Sequence, residues 1–287
     1  MTRRHICFVL TVLLATASGE LGAQVGLQTV RDDIAHTSGD VWSVWTSPAR
    51  MSRHDWVPAG IAVGAVALTT QVDSITRVWM IAHERSALLR VISPLRDSST
   101  TIHVGSMGTG YYLLPITGAV YIAGRVSHSS GLADAGLGCM AGDLSSLGIR
   151  EVAYHAVGRG RPRITSDPFN ISVPESGGWL WHSFFSGHIA NSMACASFLS
   201  HRYSFGVAEA LPYAFSAAIG VGRMADGEHW ASDTMIGGII GYTIGRAIAS
   251  RQLARIARST TPSDTSASAQ AQRSAKVWPV FSWTIRF

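Results

Sequence analysis

The sequence predicts an all-α protein, a helical bundle, on three observations. Apolar residues recur at helical spacing through long stretches separated by polar breaks. Gly237, Gly238, Gly241 and Gly245 stripe one segment as a helix face that another helix approaches closely. Strand-like alternation is confined to the last residues, Val277 to Phe287, and a single strand closes no barrel.

The elements follow in order. Met1 to His5 is basic, Ile6 to Ala17 is apolar and small residues lead to Ala23, the pattern of a secretory signal over 1–23. An exported protein of a bacterial cell envelope, periplasmic or membrane-associated, is expected. Residues 24–53 read as a short amphipathic segment that carries Trp42 and Trp45 and stops at Thr46-Ser47-Pro48. A helical domain over 54–251 comes next. Its apolar segments are Trp56 to Val72 and Ile102 to Gly124, the second without any Asp, Glu, Lys or Arg. A third helix is expected over Gly131 to Val157, and a loop punctuated by Pro and Gly over Gly158 to Ser183. Three more helices are read at Gly187 to His201, Ala210 to Val221 and Trp230 to Ala249. Residues 252–276 are rich in Ser, Thr, Ala and Gln, which predicts a disordered linker before a strand-like tail at 277–287.

With 287 residues, 47% of them apolar and only 14% charged, the chain has ample material for a buried core. The net charge of +5 is spread over separate arginines. That argues against a nucleic-acid surface and leaves anionic lipid or phosphate as the partner. Outside the leader, Cys139 and Cys195 lie in apolar helical contexts without zinc-ligand spacing, so buried free thiols are the default expectation, with a disulfide between them permitted by an oxidising compartment.

Three short segments carry the chemistry. Arg223, His229 and Asp233 stand at fixed spacing, and His229 and Asp233 are i, i+4 on a helix start, where the carboxylate is expected to accept from one ring N–H. Arg223 is placed to hold an anion beside them. Ser186-Gly187-His188 opens a helix, with Ser186 as N-cap, Gly187 letting a phosphate approach the backbone and His188 positioned to give up a proton. Arg161-Pro162 follows Gly158-Arg159-Gly160 and offers a further guanidinium on a stiffened loop. An Arg loop, an anion-binding helix start and an Arg…His…Asp element have no shared structural reason to occur together.

Over about Ala141 to Arg246 the chain resembles the type 2 phosphatidic acid phosphatase superfamily, whose helical fold is shared with vanadium haloperoxidases and class A acid phosphatases. The resemblance implies that Arg161 and Arg223 bind phosphoryl oxygens with help from Ser186 and Gly187. It also implies that His229 is a nucleophile forming a phosphohistidine, Asp233 its orienting partner and His188 the general acid. Three positions depart from the family pattern: Tyr154 stands where Lys is expected, Phe185 replaces Pro, and Gly222 replaces Ser. Loss of an ammonium costs a charge-assisted hydrogen bond, about 1.5–3 kcal/mol, unless Arg150, Arg159 or Arg163 replaces it.

The expected function is a metal-independent phosphatase, without cofactor, acting on phosphomonoester or pyrophosphate groups of membrane lipids or of soluble phosphoesters. A membrane surface is the expected partner, and the sequence assigns no oligomeric state. The alternatives are a vanadate-dependent haloperoxidase and an envelope phosphate-binding protein weakened by Tyr154.

Overall fold

The computed structural model describes residues 26–92 and 104–259. The secretory signal and the strand-like tail lie outside the described residues. The helices are α1 (Leu27–Trp45), α2 (Trp56–Thr70), α3 (Asp73–Ala82), α4 (Ala87–Ile92), α5 (Gly110–Val126), α6 (Ser130–Ala156), α7 (Gly187–Arg202), α8 (Ala210–Ala225) and α9 (Ala231–Ser259). The all-α expectation holds.

The core of the bundle is where α6, α7 and α9 meet. Phe198 and Ala194 of α7 pack with Cys139 and Ala141 of α6 and with Ile244, Ala247 and Ile248 of α9, all buried. The glycine stripe works as expected. A Cβ on Gly237 would come within 2.5 Å of the Ser186 carbonyl oxygen, and on Gly241 and Gly245 it would strike the carbonyls of Ala190 and Ala194. These glycines therefore set how closely α9 lies against the start of α7. Cys139 and Cys195 are joined as a disulfide across α6 and α7, with Cα atoms 4.4 Å apart. This corrects the free-thiol expectation, because close packing of the two helices brings the cysteines within bridging range.

α1 lies along α6, with the Trp45 ring over Gly148. Asp33 takes Arg125 Nε at 2.9 Å and the Tyr121 hydroxyl at 2.8 Å. Buried Asp40 takes Arg251 Nε at 2.8 Å and Arg255 Nη1 at 2.6 Å. Gln252 Nε2 donates to the Asp134 carbonyl at 3.2 Å. These anchors carry α9 to Ser259, so helix replaces the first residues of the linker expected from 252.

Among the described residues no single helix is long and apolar enough to cross a membrane, although α2 and α3, bent by 51°, pass that test as a pair. α2 exposes Trp56, Val57, Ile61, Val63 and Leu68. Between α6 and α7 the expected loop contains one short antiparallel pair, β1 (Gly158–Arg159) with β2 (Ile171–Ser172), and a parallel bridge from Arg159 to His182.

Candidate active site

Trp230 immediately precedes α9, and its backbone N–H is accepted by the Asp233 carboxylate at 3.0 Å, as in the reciprocal half of a capping box. That geometry turns Asp233 away from the imidazole four residues earlier. His229 Nδ1 instead lies 2.7 Å from the Ser183 carbonyl oxygen. A carbonyl only accepts, so Nδ1 carries the proton and Nε2 keeps its lone pair. Asp233 takes the Ser183 hydroxyl at 2.6 Å. The expected direct His–Asp pair is therefore corrected to a relay in which Asp233 holds Ser183 and Ser183 holds His229.

Behind Asp233 stands a fully paired network. Arg159 is buried; its Nη1 reaches Asp233 at 2.5 Å and the Ser232 hydroxyl at 2.8 Å, its Nη2 reaches Asp73 at 2.8 Å, and its Nε reaches the Pro168 carbonyl at 2.8 Å. Asp73, at the start of α3, also takes the Ser232 N–H at 2.9 Å. Burial pushes the Asp233 carboxyl up to about 6, with Arg159, Ser183 and the Trp230 N–H opposing the rise.

In front of His229 the arginines are differently placed. Arg161 pairs with Glu228, lies 4.9 Å from the Trp179 ring and donates from Nη2 to the His182 carbonyl at 3.3 Å. Arg223, in the last turn of α8, reaches Glu228 at 3.4 Å and Asp226 at 3.3 Å. Arg163 also contacts Glu228, at 2.5 Å. Burial lowers the guanidinium of Arg161 to about 10 and lowers that of Arg223, leaving Arg161 charged at neutral pH. Arg161 Nε, Arg223 Nε and the Ser186 hydroxyl are shut off from solvent without a hydrogen-bond partner.

Ser186 is the N-cap of α7, but its side chain makes no cap bond; its backbone N–H goes to the Asp233 carbonyl at 3.1 Å. A Cβ on Gly187 would strike Arg150 Cδ, so any other residue there would have to displace that arginine side chain. The rings of His188 and His229 have centroids 6.3 Å apart. Burial first, then Arg223, holds both imidazoles well below the ordinary histidine value of 6.5, with Arg161 and Arg150 adding to the effect. The structure thus brings together Arg161, Ser186, Gly187, His188, Arg223 and His229, and places Asp233 one shell behind.

The three departures now have local accounts. Arg150 lies one helical turn before Tyr154, its guanidinium 5.5 Å from that ring, and its side chain crosses the α7 start at Gly187. Of the three arginines named as replacements for the missing Lys, Arg159 pairs with Asp73 and Asp233, Arg163 with Glu228 and Arg150 with the adjacent Glu151; Arg150 is the one whose guanidinium lies against the Tyr154 ring. Gly222 is glycine because a Cβ would come within 2.8 Å of Gly105 Cα. Phe185 is a buried core ring. Ser183, Glu228 and Asp73 were missed: Ser183 and Glu228 flank recognised motifs, and Asp73 had only the signal of a charge at an apolar boundary.

No curated protein matches the chain. Among solved structures it is similar to the crystal structure of Aquifex aeolicus LpxE, at 23% identity and a TM-score of 0.37, over 57% of this chain and 93% of that one. Residues 137–257, a stretch that includes both imidazoles, match the model of the PAP2 superfamily.

Proposed function

We propose that the protein is a phosphatase that removes phosphoryl groups from lipid phosphoesters through a phosphohistidine at His229. The observation that carries this reading is the set of unpartnered donors, Arg161 Nε, Arg223 Nε and Ser186 Oγ, in the cluster that holds a neutral imidazole with Nε2 free. A phosphoryl group supplies the acceptors those donors lack.

In the first step Nε2 of His229 attacks phosphorus and the ester P–O bond breaks; the leaving oxygen takes a proton from His188. Water then attacks the phosphorus, His188 takes that water's proton, and the P–N bond breaks to release phosphate and restore His229. Burial, together with the arginine field, keeps His188 neutral in the free protein; an anionic phosphate offsets the arginine part, so the substrate itself raises the affinity of His188 for the proton it must donate. Arg150, although ion-paired with Glu151, adds positive charge beside Tyr154 and acts on both imidazoles, which weighs against a binding protein without turnover.

Lipid is favoured as the substrate class by Trp179, exposed at the site beside Arg161 and Arg163, and by the exposed apolar residues of α2. Export to the envelope accords with the Cys139–Cys195 bridge, since disulfides persist in oxidising compartments. The test is phosphate release from phosphatidate in vesicles, a polyprenyl diphosphate and a soluble phosphomonoester. Turnover of a lipid, reduced about 10⁴-fold or more in His229→Ala and strongly in His188→Ala, is the expected result. Turnover unchanged in His229→Ala would overturn the assignment.

A further inference from the structure

Beside the phosphoryl site lies a second group of side chains that the chemistry above does not use. His155 at the end of α6, Glu175 in the loop and His182 before Ser183 hold their ligand atoms within 4.8 Å of one another. His182 Nε2 is 3.6 Å from Glu175 Oε2, shut off from solvent and without a hydrogen-bond partner. Tetrahedral coordination at about 2.0–2.1 Å places neighbouring ligand atoms about 3.3 Å apart, so this pair needs only a small adjustment to share an ion.

The ligands are braced from behind. Glu175 Oε1 accepts the Gly178 N–H, the Glu175 N–H goes to the His155 carbonyl at 3.4 Å, and the His182 ring stacks on Tyr154 at 4.7 Å. Two imidazoles and one carboxylate are the donor set of a zinc-class ion, with a fourth position left for water or another oxygen. His155 is exposed, which gives the ion an entry path.

We propose that His155, Glu175 and His182 form a binding site for one Zn²⁺. The site fixes the segment that positions the nucleophile: His182 precedes Ser183, whose carbonyl holds His229 Nδ1 and whose hydroxyl holds Asp233, and the His182 carbonyl itself takes Arg161 Nη2. The ion fastens this strand to the end of α6 and takes no part in bond breaking.

The test uses full-length protein freed of any affinity tag, stripped with chelator and titrated with Zn²⁺ by calorimetry. One equivalent is expected to bind with micromolar or tighter affinity. His182→Ala and Glu175→Gln should each weaken binding about 100-fold or abolish it, while His54→Ala, at an exposed site far along the chain, should not change it. Circular dichroism of the stripped variants checks their fold, and Glu175→Gln preserves side-chain volume. Co²⁺ in place of Zn²⁺ should give the strong visible absorption of a tetrahedral site. Failure of the wild-type protein to bind one equivalent, or binding by Glu175→Gln and His182→Ala as tight as that of the wild type, overturns the proposal. Phosphatase activity does not enter this readout, so the metal site and the phosphohistidine reading stand or fall separately.

Discussion

Arg159 and Arg161 are two residues apart and serve opposite ends. Arg159 faces the inside of the bundle, where every nitrogen finds a carboxylate, hydroxyl or carbonyl and the charge is matched by Asp73 and Asp233. Arg161, beyond the end of the short strand and just before the turn at Pro162, keeps Nε without a partner and shares Glu228 with Arg163 and Arg223. A buried guanidinium with all its donors satisfied fixes geometry. One left partly unsatisfied is a standing invitation to an anion. The residue type is the same, so the role is set by which carboxylates the fold brings to it.

The largest effect should follow from breaking the inner network. Arg159→Met leaves Asp73 and Asp233 buried without their cation, at a cost of about 3–5 kcal/mol, and thermal melting should fall by about 10 °C. Arg161→Ala should do the reverse: a melting temperature nearly unchanged, with kcat/KM for a phosphoester lowered about ten- to a hundredfold. Equal destabilisation by the two substitutions would erase the distinction between them.

Glu228 sharpens the comparison. It is the internal anion of the outer group, so Glu228→Gln frees Arg161 and Arg223 for substrate and should tighten inhibition by inorganic phosphate about three- to tenfold. Weaker inhibition would mean that Glu228 aligns the arginines instead of competing for them.

The smallest effect is in the pH profile. In the proposed mechanism His229 must be neutral to attack and His188 protonated to donate, and both are held well below 6.5 in the free protein. The population with His229 neutral stays high as pH falls from 8, while the fraction of protonated His188 rises. kcat/KM should therefore increase toward acid and peak below pH 6.5. A maximum above pH 7.5 would show that the arginine field does not act on these rings as described.

Much of this was legible in the sequence because it depends on local order. The helix starts at Ser186 and Trp230, the glycine stripe from Gly237 to Gly245 and the spacing from Arg223 to His229 are short-range patterns, and the structure gathers their residues together. What the sequence concealed depends on distant chain segments meeting. Asp73 meets Ser232 across 159 positions, and no periodicity announces that contact. Ser183 escaped notice because its part is played by a backbone carbonyl, which every residue has. The His229–Asp233 pairing went astray for a related reason: i, i+4 spacing puts two side chains on one face, but the capping bond to the Trp230 N–H and the Ser183 hydroxyl outbid the imidazole for the carboxylate.

The central claim is that His229 Nε2 becomes the phosphoryl carrier in the group formed by Arg161, Ser186, His188 and Arg223. Rapid quenching of the protein with a phosphorus-labelled lipid phosphoester, followed by peptide mapping, tests it directly. An acid-labile, base-stable phosphoryl group on His229, absent from His229→Ala, is the predicted result; label on any other residue, or steady turnover with no protein-bound phosphoryl group in wild type, would contradict it.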